Sequence, residues 1–249
     1  MLSVKSLSRS FGGVAAVDNV TFDVKQGHVH AVIGPNGAGK TTLFNLITGV
    51  YEPSSGQVVL DKADVTGMPP EALAQRGMCR TFQNLQICMN MTACENVMLG
   101  AHLHSNPSLW SGFLGWTRTA DRKLEEKAHE LMDFVGVGSA RGAHATQLSF
   151  GVLKRLEIAR ALAANPRLLL LDEPAAGLND SETHAVGDLI RKIAASGTTV
   201  LLVEHDMKMV MSISDHIVVL DQGKKLAEGN AQQVRSNPDV VAAYLGADE

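Results

Sequence analysis

The chain has 249 residues, 45% of them apolar and 19% charged, with a mean hydropathy of +0.04. These proportions exclude a mainly disordered chain, and 22 Lys and Arg against 26 Asp and Glu exclude a polycation built for bulk nucleic-acid binding. The longest apolar runs, such as 168–171 and 200–203, are too short to span a bilayer, and residues 1–5 lack a signal-peptide layout, which predicts a cytoplasmic protein.

Taken in chain order, residues 2–11 and 19–24 alternate apolar and polar positions and predict antiparallel strands. Residues 29–33 form a short β-branched run that ends abruptly at Gly34, as a buried strand running into a tight turn does. Residues 41–47 place Leu43, Leu46 and Ile47 at helical spacing. Cys79, Cys88 and Cys94 follow without a C-x-x-C spacing, against both a disulfide framework and a zinc site. Residues 121–135 carry Leu124, Ala128, Leu131 and Val135 on one face and charges elsewhere, an amphipathic helix. Residues 92–150 therefore read as a mostly helical subdomain inserted into an α/β core made of 1–91 and 151–249. Strands are predicted again at 168–171, 198–203 and 217–220, with a helix over 182–195. Apolar strands alternating with helices imply a largely parallel sheet covered on both faces.

The strongest chemical signal is Gly34-Pro35-Asn36-Gly37-Ala38-Gly39-Lys40-Thr41, which matches G-x-x-x-x-G-K-[ST]. Glycines let backbone N–H groups turn toward phosphate oxygens, and the helix that follows, with Thr42 in its first turn, presents its positive end to the same anion. Lys40 is expected to reach the β- and γ-phosphates and the Thr41 hydroxyl to ligate Mg²⁺. Four leucines then precede Asp172 and Glu173, so a carboxylate pair sits at the C-terminal end of a buried strand, where open α/β sheets bind ligands. Alone, such a pair would be an ordinary helix cap. Beside a phosphate loop, Asp172 suits a direct or water-mediated Mg²⁺ contact and Glu173 a base or water-polarising group.

With these residues in hand the chain resembles the ABC (ATP-binding cassette) ATPases, P-loop NTPases whose α/β core carries an antiparallel β subdomain and an inserted helical subdomain. Leu148-Ser149-Phe150-Gly151-Val152 is similar to the family signature, Gln83 in Arg80-Thr81-Phe82-Gln83 to the Q-loop glutamine, and His205 in Glu204-His205-Asp206 to the switch histidine. Phe11 is similar to the aromatic residue that stacks on adenine, and 176–180 occupies the D-loop. The signature departs from the family pattern at Phe150 and Val152, and the D-loop carries Asn179 and Asp180. The endings and loop sequences further resemble the ATPase subunits of branched-chain amino acid importers. A lipopolysaccharide-export ATPase and a soluble, non-transport ABC-type ATPase stay open as alternatives.

The resemblance implies ATP hydrolysis coupled to transport. Lys40, Glu173 and His205 would be catalytic, and Gln83 and Asp172 would help Thr41 hold Mg²⁺. ATP would be sandwiched between the phosphate loop of one cassette and Ser149 and Gly151 of a second, identical or paralogous. Two transmembrane permeases, and indirectly a periplasmic solute-binding protein, would be the partners at the cytoplasmic face of the inner membrane, with no nucleic acid. Trp110, Phe113 and Trp116 read either as a local apolar cap or as a docking surface for a membrane partner. The pairs His28/His30 and His102/His104 lack a third metal ligand and read as surface histidines. Lys224-Lys225 reads as a solvated hairpin turn.

Overall fold

The computed structural model describes residues 1–101 and 117–245, with side chains for all of these except 117–121 and 245. Trp110, Phe113, Trp116, His102 and His104 lie outside the described residues.

Strands β1 (Leu2–Phe11) and β2 (Val14–Val24) pair antiparallel across a turn in which Gly12 and Gly13 both have positive φ, 53° and 89°. Such a two-residue turn follows the twist of the strands, and glycine adopts it without a Cβ clash. The second strand begins at Val14, five residues before the start read from the sequence. The register shifts between Val4 and Leu7, Leu7 and Arg9, and Arg9 and Ser10. Bulges of this kind break strict alternation, which hides the first half of β2 from a period-two reading.

The five residues of β3 (Val29–Ile33) are all buried, and the chain leaves it through the loop that ends in helix α1 (Lys40–Ile47). Strands β4 (Ser55–Leu60) and β5 (Ala63–Asp64) complete an antiparallel sheet of order β2-β1-β4-β5. After the short helix α2 (Pro70–Gln75) comes β6 (Met78–Arg80), the edge of a second sheet. Its other members are β7 (Leu168–Asp172), β8 (Thr199–Val203), β9 (His216–Asp221) and β10 (Lys224–Gly229), in the order β10-β9-β3-β8-β7-β6. All neighbours are parallel except β9 and β10. That hairpin turns on Gln222 and Gly223, so Lys224 and Lys225 begin the strand and pair with Asp18 and Glu228.

Alternate residues of the parallel strands feed two apolar clusters. Ala31, Leu169 and Leu171 face one, Val32, Leu168 and Leu170 the other. The second cluster is closed by Leu43 and Phe44 of α1 and by Val4 and Leu7 of β1. The first continues into a helical layer formed by α3 (Ala93–Gly100), α4 (Thr117–Phe134) and α5 (Phe150–Ala163), which pack on one another. Helices α3 and α5 come so close that a Cβ at Gly100 would meet the Arg160 carbonyl at 2.0 Å. Helices α6 (Asp180–Ala195), α7 (Met207–Ile213), α8 (Ala231–Arg235) and α9 (Pro238–Leu245) complete the fold.

The expectation of two surface histidines fails for His30. His28 is exposed just ahead of β3, but His30 is the second residue of that strand, 1% exposed between β8 and β9. Its Nε2 accepts a hydrogen bond from the Lys25 N–H at 3.0 Å, and its ring lies 5.4 Å from that of His216. Burial first, then the His216, His28 and Lys25 charges, push its pKa down to about 4, against an opposing pull from Asp215. The unfolded chain therefore binds a proton that the folded chain refuses between about pH 6.5 and 4. Stability from this group is full above that window and is lost as pH falls through it, by about 3 kcal/mol in total. Chemical denaturation at pH 7.5 and pH 4.5 is expected to show this loss, reduced in His30→Gln, which keeps an acceptor for Lys25. An equal pH slope in the variant would contradict the assignment.

Candidate functional site

Strands β3, β6, β7 and β8 end on one side of the sheet. Val32 is level with Val203, and Asp172 is level with the same Val203. The segments that follow Ile33, Arg80, Asp172 and Val203 therefore emerge together, which is where a parallel sheet presents its ligand site.

The loop after β3 is shaped by its glycines. A Cβ on Gly34 would lie 2.2 Å from the Leu220 carbonyl oxygen, and one on Gly39, at φ 95°, would lie 2.3 Å from that of Ala16. The loop is braced from behind: the Gly223 N–H donates to the Ala38 carbonyl at 3.1 Å, and the Asp18 N–H to Gly223 at 2.8 Å. Helix α1 begins at Lys40 with no side-chain cap and no acidic residue in its first turn, so Thr41 and Thr42 bring its N–H groups to the loop without a competing carboxylate. The Lys40 ammonium donates to the carbonyls of Gly34 and Pro35 at 2.7 and 2.9 Å. Burial draws its pKa down and Glu173 draws it back up.

Asp172 is 4% exposed, and its Oδ2 accepts from the Arg80 guanidinium at 2.6 Å. Arg80 also donates to Asn45 Oδ1 at 2.7 Å and Thr48 Oγ1 at 2.9 Å, and its head lies near the Phe44 and Phe82 rings. From the sequence alone Arg80 has no role. The available signal was an arginine closing a strand inside an apolar sheet, since a buried cation requires a partner.

Glu173 follows directly with φ 48°, left-handed for a non-glycine residue. Its Oε2 accepts from Gln83 Nε2 at 2.9 Å and stands 4.0 Å from His205 Nδ1. Its backbone carbonyl accepts from Lys154 Nζ at 3.3 Å; Lys154 is 3% exposed on α5 and was not singled out from the sequence. Lys40, Gln83 and His205, widely separated in sequence, thus gather around Glu173, and Asp172 precedes it at the same strand end.

Phe11, Ser149 and Gly151 make no hydrogen bond or ring contact with that cluster among the described residues. Phe11 lies at the tip of β1, edge-on to Tyr51 at 5.5 Å and 5.0 Å from the Arg9 guanidinium carbon. Ser149 stands at the N-cap of α5 without a side-chain capping bond. Gly151 is buried against Glu182, whose carboxylate a Cβ would meet at 2.3 Å. Phe150, at the unusual signature position, is exposed and packs its ring over Gly177 of the D-loop. Asn179 caps α6, its Oδ1 accepting from the Glu182 N–H at 3.0 Å while Glu182 returns a bond to the Asn179 N–H.

The ABC transporter family profile matches residues 17–176, and that of the branched-chain amino acid ATP-binding cassette transporters matches 224–249. The chain is 45% identical over 249 residues to the high-affinity branched-chain amino acid transport ATP-binding protein BraF of Pseudomonas aeruginosa, spanning 99% of this chain and 98% of BraF. It superposes with a TM-score of 0.86 on the ADP conformation of MJ1267, an ATP-binding cassette of an ABC transporter, at 33% identity over 99% of this chain and 98% of that one. The dimeric post-hydrolysis cassette MJ0796, bound to ADP and Pi, gives a TM-score of 0.78 at 26% identity over 93% and 99%. A phosphate loop facing an acidic strand end, in a chain matched by the family profile over most of its length, makes this protein a member of the ABC transporter family, one of its ATP-binding cassettes.

Proposed function

We propose that the chain hydrolyses ATP to drive import of branched-chain amino acids or closely related small solutes. The observation that carries the catalytic half is the convergence of Lys40, Gln83, Asp172, Glu173 and His205 at the ends of β3, β6, β7 and β8. The substrate half rests on the full-length likeness to BraF and on the C-terminal match.

In this reading Lys40 and the loop amides of residues 34–42 hold the phosphates of ATP, and Phe11 receives the adenine. Glu173 orients and deprotonates the attacking water, and His205 steadies the γ-phosphate. The chain supplies positioning and electrostatics rather than a covalent step. Mg²⁺ fits the donors present. Thr41, Gln83 and Asp172 offer hard oxygens, and Arg80 holds only one oxygen of Asp172. Among the described residues no cluster of three or more His, Cys, Asp or Glu is assembled to hold a metal; Thr41, Gln83 and Asp172 are the residues that would hold the ion. When bound, the ion would neutralise negative charge on the phosphates.

Ser149 and Gly151 would serve the phosphate loop of a second cassette. This assignment is supported by the uncapped hydroxyl of Ser149 and by the dimeric state of MJ0796. Residues 92–150 would form the arm that carries closure of the dimer to two permease subunits, against a core of 1–91 and 151–249. Among the described residues no helix is long and apolar enough to cross a membrane. We place the chain on the cytoplasmic face of the inner membrane, held there by the permeases and served by a periplasmic solute-binding protein.

Reconstitution in vesicles tests the proposal. With its permeases and binding protein, the complex is expected to accumulate radiolabelled leucine, isoleucine or valine only when ATP is on the side of this chain. ATP-driven outward movement of a lipid, with no amino-acid uptake, would replace the importer reading by the exporter one.

A further inference from the structure

Glu204 has no part in the reaction just described. It follows β8, precedes His205, and its side chain is 0% exposed. A lone carboxylate there would be strongly disfavoured. This one is saturated by backbone donors from two loops. One oxygen, Oε1, accepts from the Ala175 N–H at 2.7 Å; the other, Oε2, accepts from the N–H groups of His205 and Asp206 at 2.9 and 3.2 Å. Bonds to an ionised acceptor are roughly twice as strong as neutral ones.

The two loops joined in this way carry Glu173 and His205, the groups assigned above to the attacking water and the γ-phosphate. Ala175 lies two residues after Glu173, whose φ of 48° needs neighbours to hold it. Those neighbours come from the end of β8: the Val203 carbonyl accepts from the Glu173 N–H at 2.9 Å, and Glu204 takes the Ala175 N–H. The same carboxylate fixes the backbone of His205, whose ring stands 4.0 Å from Glu173.

We infer that Glu204 is a positioning residue for hydrolysis, a buried clasp that holds Glu173 and His205 in register with each other without touching nucleotide. The inference rests on the roles proposed above for those two residues. Glutamine is the diagnostic replacement. Its single oxygen can serve one loop, and its NH₂ group then faces the N–H donors of the other, so one side of the clasp is released.

Full-length Glu204→Gln is expected to bind ATP with unchanged stoichiometry and with Kd and KM within about twofold of wild type, because Lys40 and the loop amides are untouched. Its kcat, counted per nucleotide site titrated by calorimetry, is expected to fall at least about tenfold. Normalising by titrated sites removes the loss that misfolding alone would produce. A smaller loss in kcat overturns the inference. Should the variant not fold, the wild-type chain supplies the second measurement. Its Ala175 and His205 amides should both be slow to exchange with solvent, and exchange at open-loop rates overturns the clasp. Glu173→Gln is assayed in parallel. If it keeps turnover, the site reading fails; if it is inactive while Glu204→Gln matches wild type, only the clasp fails.

Discussion

Lys40→Ala is expected to abolish measurable ATP turnover, a loss on the order of 10³-fold, and to weaken ATP binding while leaving the fold intact. The fold is safe because Lys40 opens helix α1, where alanine is an excellent helix former, and its side chain bonds only the carbonyls of Gly34 and Pro35. The chemistry is exposed because those carbonyls hold the ammonium at the loop that, in the proposed function, takes the phosphate charges of ATP. Without it, α1 still offers its N–H groups, so residual binding is expected rather than none. Lys40→Arg should be nearly as damaging, since a planar fork cannot occupy the place of a compact point charge between two carbonyls. Calorimetry of ATP binding, phosphate release and circular dichroism check the three parts. Unchanged affinity in the alanine variant would break the assignment of the loop.

The parts legible in the sequence were those with a strict local grammar. The glycine spacing of 34–39 has a steric cause, because Cβ atoms at Gly34 and Gly39 would strike backbone carbonyls of Leu220 and Ala16. The buried strands at 29–33 and 168–172 announce themselves because both faces of the parallel sheet are covered: every residue of the second is apolar until Asp172, and every residue of the first is apolar except His30. What stayed hidden depends on contacts between distant segments. Arg80 gains its meaning only when β6 pairs with β7 and brings it to Asp172. Lys154 and Glu204 are ordinary charged residues in the sequence, and their burial appears only when α5 and β8 are packed. His30 misleads differently: its place inside the buried run 29–33, which His28 precedes, was the local signal, and the i, i+2 spacing of the two histidines drew attention away from it. The first half of β2 is masked by bulges, which break the apolar/polar alternation.

The departures from the family signature also find physical roles. Phe150 spends its ring on Gly177 and lies 5.8 Å from the Lys154 ammonium, so it ties the start of α5 to the D-loop. Asn179 gives its side-chain oxygen to cap α6. A cap is a local duty that either asparagine or aspartate performs. The fold of the D-loop therefore does not depend on a charge at this position.

Glu173→Gln separates binding from chemistry more sharply than any other single change. The amide has the same shape, so the left-handed turn at φ 48° and the bond from the Glu173 N–H to Val203 should persist. Its oxygen can still accept from Gln83, now at 2.9 Å from Oε2. What is lost is the negative charge that would take a proton from water, and general-base assistance contributes roughly 10²–10⁴-fold. Steady-state phosphate release is therefore expected to fall by about that factor with ATP affinity retained. A second consequence follows from differential binding. In the proposed arrangement ATP would bridge two cassettes only in the closed dimer, and a variant that keeps the γ-phosphate intact would keep the contacts that favour closure. Light scattering should show a monomer or loose dimer without nucleotide and a persistent dimer with Mg²⁺ and ATP, a state the wild type is expected to occupy only transiently. Turnover close to wild type would remove Glu173 as the base. A silent enzyme that binds ATP but never dimerises would keep the base and move Ser149 and Gly151 away from the partner's nucleotide.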